Sequence, residues 1–191
     1  MREYEEQSFT GIQLAEREIR GAVFHECVFT GCEAQRVRFI GCEFHSCAFE
    51  RCTVLASRFQ DTEVADCSFR ECTLMGINWA LVGTSRVFLP FSSLRGCRLR
   101  YNVFFEMKLK GFNFSGCDLA GSYFERCQIP KGNFSGCNLR ETEFSDNDLC
   151  GCDFRGAAFD SLSPSQNRIK KAKFSYPEAL NLLREFDILI E

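Results

Sequence analysis

The feature that most constrains this chain is a period of five. Every fifth residue from Phe9 to Phe159 gives 31 positions in one register, and only Ala34 and Thr84 among them are not large and apolar. A helix repeats every 3.6 residues and a strand every two, so neither ordinary amphipathic pattern fits. Two positions before each of these residues lies a second inward column. It holds Cys27, Cys32, Cys42, Cys47, Cys52, Cys67, Cys72, Cys97, Cys117, Cys127, Cys137 and Cys152, twelve of the thirteen cysteines, with Cys150 outside it. Arg17 is the single charged residue at either inward phase between Phe9 and Phe159. Such a chain must turn after each pentapeptide. Four near-right-angle turns close a square coil, and stacked coils pair as strands with a rise of about 4.8 Å. Nearly eight coils fit between Phe9 and Phe159, about 37 Å of solenoid at that spacing.

The repeat also disposes of several chemistries. Thirteen cysteines suggest a secreted disulfide scaffold, but the number is odd and "MREYEEQSFTG" carries no apolar signal core. The expectation is a cytoplasmic protein with reduced thiols. Metal sites use clustered ligands such as C-x2-C pairs, whereas these cysteines follow the spacing of the scaffold and read as small buried filler. Cys27, Cys47 and Cys67 should stack on one face, and Cys32, Cys52 and Cys72 on the next. His25 and His45 should be surface neighbours, without a third ligand column for a metal. Trp79 falls on the core phase. No nucleophile–base arrangement, phosphate loop or carboxylate pair stands out, so no enzyme, cofactor or metal is expected. No apolar run reaches membrane-span length.

Three departures from regularity carry information. In "ALVGTSRVFLPFSSLRG", Thr84 takes a core place and Pro90 cannot donate a ladder bond. The register survives, which predicts a distorted coil without an inserted loop; a partner-recognition feature is the alternative. Charge is uneven: Arg86, Arg95, Arg98, Arg100, Lys108 and Lys110 face only Glu106, while Glu141, Glu143, Asp146, Asp148, Asp153 and Asp160 face only Arg155. Solvated sheet faces and an electrostatic footprint for a partner both fit. Finally, the repeat stops at Phe159, giving residues 1–160 as the solenoid and 161–191 as a C-terminal segment. There "DSLSPSQNRIKKAKF" reads as a polar, basic connector. Ser175 as N-cap and Pro177 near N1 then open a helix with Ala179, Leu182, Leu183 and Phe186 on one stripe. Ile188, Leu189 and Ile190 read as a short strand. This tail is more apolar than a lid requires, which points to a dimer interface.

The pattern in "GCEFHSCAFERC", "SGCDLAGSYFERC" and "SGCNLRETEFSDNDL" resembles the pentapeptide-repeat family over about residues 9–160. That resemblance implies an all-β, right-handed quadrilateral β-helix, here with a short C-terminal helix and strand. "LMGINWA", the Pro-bearing stretch after it and the C-terminal "NRIKKAKFSYPEALNLLREFDILIE" are similar to the topoisomerase-protecting members: Qnr quinolone-resistance, albicidin-resistance and microcin-immunity proteins. The resemblance implies a DNA-mimicking homodimer, joined through its C-termini, that engages DNA gyrase, or topoisomerase IV, without itself binding nucleic acid. Glu141, Glu143, Asp146, Asp148, Asp153 and Asp160 are then the candidate partner-binding residues. Ala179, Leu182, Leu183, Phe186, Ile188 and Ile190 are the candidate dimer residues. Qnr proteins often carry projecting loops; the unbroken register predicts none here, which points to immunity against another gyrase poison. A scaffold for another protein partner, or a gyrase inhibitor without protective activity, are the other readings.

Overall fold

A computed structural model describes residues 2–83, 89–186 and 188. The chain forms a β-solenoid of about eight turns with parallel sheets and one short C-terminal helix. It divides into two compact units, Met1–Leu99 and Arg100–Glu191.

In the first unit all four sides of the coil are strands. One side stacks Arg2–Glu5, Ala22–His25, Glu43–His45 and Glu63–Ala65; the next stacks Ser8–Thr10, Val28–Thr30, Ala48–Glu50, Cys67–Arg70 and Phe91–Arg95. Partners lie four pentapeptides apart, as in Phe9↔Phe29↔Phe49↔Phe69. The apolar residue at the centre of each three-residue strand points inward, so every column stacks like on like. Phe29 and Phe49, for example, lie 4.8 Å apart and 7° from parallel. Two residues after each central residue, the chain turns through the left-handed region, with φ of 51° at Glu6 and 64° at Gly11. Among the described residues seventeen of these are not glycine, so the stacking stabilises a backbone state that side chains ordinarily avoid.

The unbroken register conceals one irregular coil, and the expectation of no insertion is corrected here. Glu63 pairs with Gly83, at the regular offset of one coil. Cys67 then pairs with Phe91, an offset of 91 − 67 = 24, and after a bulge Phe69 pairs with Leu94, an offset of 94 − 69 = 25. This coil is one pentapeptide longer than the others, so Leu94 occupies the place that period-five counting gives to Leu89. Leu89 is half-buried, while Phe91 and Leu94 are in the core. Pro90 is tolerated because its carbonyl is what the ladder uses, accepting from Cys67 N–H at 3.2 Å. Thr84 and Arg86 lie outside the described residues.

The second unit keeps three-residue strands on one side, Val103–Phe105, Tyr123–Glu125 and Glu143–Ser145, and a pair of two-residue strands on another, Asn138–Leu139 with Ala158–Phe159. Its other sides are held mainly by single bridges such as Lys108↔Gln128↔Asp148↔Arg168. Their corners are tight turns closed by hydrogen bonds, for example Gly132 N–H to Ile129 O at 2.9 Å and Cys137 N–H to Phe134 O at 3.1 Å. Two sides continue beyond Phe159: Arg168 and Lys173 bridge Asp148 and Asp153, and Phe174 stacks on Phe154 at 5.2 Å. The stretch read as a connector is therefore coil in part. Its inward phases run on in the same register, Leu162, Asn167 and Ala172 in one and Ile169 and Phe174 in the other, with Pro164 and the polar Asn167 hiding the period.

The inward cysteines do more than fill space. Among the described residues eleven of these thiols point at a carbonyl of the coil before, as Cys127 Sγ to Phe104 O at 3.3 Å and Cys152 Sγ to Ile129 O at 2.9 Å. Ser57, Thr142, Asn147 and Asn167 occupy the same column and donate in the same way. The position takes a small donor because the backbone there is buried and must be paired. Burial pushes the isolated thiols up, Cys127 to about 11 and Cys137 and Cys152 to about 12, whereas hydrogen bonds from a stacked neighbouring thiol draw Cys47, Cys52 and Cys97 down. All thirteen cysteines are free thiols.

Residues Glu178–Phe186 form a 3-10 helix. In that geometry residues three apart eclipse, so Ala179, Leu182 and Glu185 share one edge and Leu180, Leu183 and Phe186 the next. Asn181 donates to Phe159 O at 2.7 Å and Glu185 accepts from Ser163 and Ser165, which ties the helix over the last coil. Among the described residues no helix is long and apolar enough to cross a membrane.

Candidate partner-binding surface

Coil stacking turns residues one coil apart into columns, so charge is organised by column and not by run. The side of the first unit built on Arg2–Glu5 gathers Glu3, Glu43 and Glu63 on one outward column, Glu5 beside His25, and Glu6, Glu26 and Asp66 at the corners. Seven carboxylates thus share one side. Among the described residues none of them pairs with Lys or Arg. Glu43 meets only His45, at 3.1 Å, and Glu3 approaches His25 at 4.0 Å. The two imidazoles are stacked, with centroids 5.0 Å apart. On the other sides of this unit Glu16 is neutralised by Arg36, Glu18 by Arg38 and Glu50 by Arg70, while Glu33, Asp61 and Glu71 are more dispersed. Like charges placed directly across a ladder, as Glu43 and Glu63 are, cost stability. Such a column is more informative than a scattered acidic surface.

Sequence reading missed this side because its members are dispersed from Glu3 to Asp66. The available signal was the spacing by whole coils of Glu3, Glu43 and Glu63 and of Glu6, Glu26 and Asp66.

The six acidic residues read from the sequence are distributed differently. Glu143, Asp148, Asp153 and Asp160 precede or follow the inner residues Phe144, Leu149, Phe154 and Phe159, one on each of the four sides; Glu141 and Asp146 are corners between them. Asp148 pairs with Arg168 at 3.3 Å, and Asp153 with Arg155 at 2.6 Å. The Arg155 guanidinium holds the Asp153 carboxyl down at about 2. Asp160 accepts from Glu141 N–H at 2.8 Å. Glu141, Glu143 and Asp146 are exposed. The structure therefore rings the coil with these groups and does not bring them together.

A second charged side belongs to the second unit. Its columns carry Lys108, Lys110, Lys131, Arg168, Lys170 and Lys171, all exposed, against Asp148. Lys108 and Lys110 come from the basic run noted in the sequence, and the last three from the stretch read as a connector.

Of the candidate dimer residues, Ala179, Leu182 and Leu183 are half-buried, whereas Phe186 and Ile188 are 55% and 53% exposed. Tyr176, at 83%, is exposed nearby in sequence. Ile190, and with it Leu189, lies outside the described residues.

A square solenoid with parallel ladders, inward Phe and Cys columns and left-handed corners defines a class of repeat protein. The chain belongs to the pentapeptide-repeat proteins: residues 4–79 match the pentapeptide repeat region and residues 133–161 the pentapeptide repeats. Among solved structures it is similar to a trypsin-treated form of QnrB1, a plasmid-mediated fluoroquinolone resistance protein. The TM-score is 0.72 at 15% identity, covering 100% of this chain and 99% of that one. A second trypsin-treated form of the same protein gives 0.55 at 17% identity, covering 96% and 100%. No curated protein matches the chain significantly.

Proposed function

We propose that this protein binds DNA gyrase, with topoisomerase IV as a second target, as a protein mimic of duplex DNA, and protects it from a topoisomerase poison. It acts in the cytoplasm by binding and not by catalysis. The observation that carries the reading is the acidic side of the first unit. Its unneutralised carboxylates recur at intervals of one or two coil rises of about 4.8 Å, and complementary potentials steer and register partners on a surface built for DNA phosphates. The full-length fold likeness to a fluoroquinolone resistance protein supports it. Glu141, Glu143, Asp146, Asp148, Asp153 and Asp160 are proposed as a further contact. Self-association is proposed through Phe186 and Ile188, extended by Ala179, Leu182, Leu183 and Ile190, because exposed apolar groups of this kind are commonly covered.

The lengthened coil removes the reason for excluding quinolones, so the poison is left to experiment. Gyrase supercoiling and cleavage are measured with and without a fluoroquinolone, albicidin and a gyrase-poisoning microcin, alongside direct binding at rising salt. The expected result is salt-sensitive binding that reduces poison-induced cleavage. It should be lost in Glu3→Lys/Glu6→Lys/Glu26→Lys, and weakened in Glu141→Lys/Glu143→Lys/Asp146→Lys. Binding with inhibition and no protection would leave a gyrase inhibitor. Neither binding nor an effect on supercoiling would overturn the proposal in favour of a scaffold for another partner.

A further inference from the structure

The two units differ in how tightly their interiors close. In the second unit the inner rings of Phe104, Phe114 and Phe134 are fully buried, at 0% exposure. In the first unit Phe29, Phe49 and Phe59 occupy equivalent inward places yet are only half-buried. Phe29 and Phe49 are covered on both faces by stacked rings and Phe59 is stacked on Phe39, so the inward edges of Phe29 and Phe49 are what remains accessible. The corners supply the cause. Bonds across the turn draw the sides of the second unit together, and the first three coils of the first unit have none among the described residues. The result is a lumen of about 730 Å³ running from Tyr4, Phe9, Leu14 and Ile19 in the first coil to Leu74 and Trp79 in the fourth. No described element covers the first coil. At the other end Trp79 packs edge-on against Phe91, with centroids 5.3 Å apart.

A second, independent feature marks that inner end. Trp79 is 3% exposed, and its indole N–H has no hydrogen-bond partner among the described residues. Buried donors without partners are rare and ask for an explanation. An apolar tube ending in one unpaired donor matches a slender hydrocarbon chain that carries an acceptor oxygen at its leading end. A charged head is disfavoured there because the lining around Trp79 offers it no counter-charge.

We infer that the lumen of the first unit is a binding site for a neutral linear chain bearing a terminal carbonyl, inserted carbonyl-first so that its oxygen accepts from the Trp79 indole. Three coil steps give about 14 Å of depth. At ~1.3 Å of rise per carbon, set by single bonds near 1.5 Å, that holds about eleven carbons. This site is separate from the acidic side and stands or falls independently of gyrase binding.

Trp79 is the only tryptophan in the chain, so its emission reports occupancy directly. Intact protein is titrated with 2-undecanone, undecane and 2-pentanone, with calorimetry alongside. Expected is a saturable one-to-one change with 2-undecanone, roughly three- to tenfold weaker binding of undecane from the missing hydrogen bond, and still weaker binding of 2-pentanone. Val54→Phe and, separately, Ala34→Leu narrow the lumen and should each reduce affinity at least tenfold, with folding checked by circular dichroism. Trp79→Phe, followed by calorimetry, should erase the preference for ketone over alkane. The inference is overturned by an absence of saturable binding, by affinity unchanged in both narrowing variants, or by end-to-end self-association that covers the mouth and is indifferent to ligand.

Discussion

Replacing Asn147 by leucine should destabilise the protein by about 3 kcal/mol, on the range for buried groups left unpaired. Asn147 is 1% exposed and stands in the inward column. Its Oδ1 accepts from Cys127 N–H at 2.8 Å, and its Nδ2 donates to Phe124 O at 2.8 Å and to Asn167 Oδ1 at 3.0 Å. Leucine keeps the volume and removes all three bonds. Two buried backbone groups on the preceding coil then lose their partners, at about 1–3 kcal/mol each; apolar burial of the new side chain offsets about 1–2 kcal/mol. With a urea m-value of ~2 kcal/mol/M the midpoint should fall by about 1.5 M. Because solenoids are stabilised locally and by nearest neighbours, hydrogen exchange should accelerate at the Cys127 amide before it does so in the first unit. Cys127→Ala is the control: it removes a weak S–H donor and should cost about 1 kcal/mol or less. Equal midpoints for wild type and Asn147→Leu would refute the view that this column is selected for donors and not for size.

The raised thiols set an alkaline limit. A thiol whose folded pKa lies above its unfolded value of about 8.5 contributes stability that is complete below that value. It is lost as pH rises toward about 12, the value for Cys137 and Cys152. Stability should therefore be flat from neutral to about pH 8 and fall above it, and the inward cysteines should react with a thiol reagent only on unfolding. Gly121 sits at φ +67° with an added Cβ only 2.6 Å from the Tyr101 ring, so Gly121→Ala should cost about 1–3 kcal/mol, seen as a lowered Tm. Leu183→Asp with Phe186→Asp should convert a dimer to monomers or aggregates in light scattering; an unchanged dimer would place the interface elsewhere.

Much of the fold was legible because the coil obeys a strict local rule. Phe24, Phe44 and Phe69 point inward where the period puts them, and His25 stacks on His45 because they are one coil apart. Less legible was the chemistry of the second inward column. Cysteine reads equally as hydrophobe or donor, and only Thr142, Asn147 and Asn167 in the same place reveal that the backbone there needs a partner. The tail was legible as a helix but not in its pitch. Short 3-10 segments share α-helical signals, and the difference in repeat moves Leu180 onto the edge with Leu183 and Phe186.

The charge surface was the least legible, for a reason that follows from the same rule. A sequence shows charge as runs, while a solenoid displays it as columns, and the two agree only when a run happens to stay on one side. Glu141 to Asp160 spans a whole coil, so it had to ring the fold. Glu3, Glu43 and Glu63 never appear as a run and form a column. Converting one view to the other needs the coil length, and there the period itself misleads. An insertion that is not a whole pentapeptide breaks the register and announces itself; a whole pentapeptide adds one side and leaves every phase unchanged. The lengthened coil between Phe69 and Leu94 is such an insertion. Counting in regular coils assigns Arg95 and Arg98 to the wrong columns there, and only the strand pairing, Arg70↔Arg95 and Thr73↔Arg98, restores them.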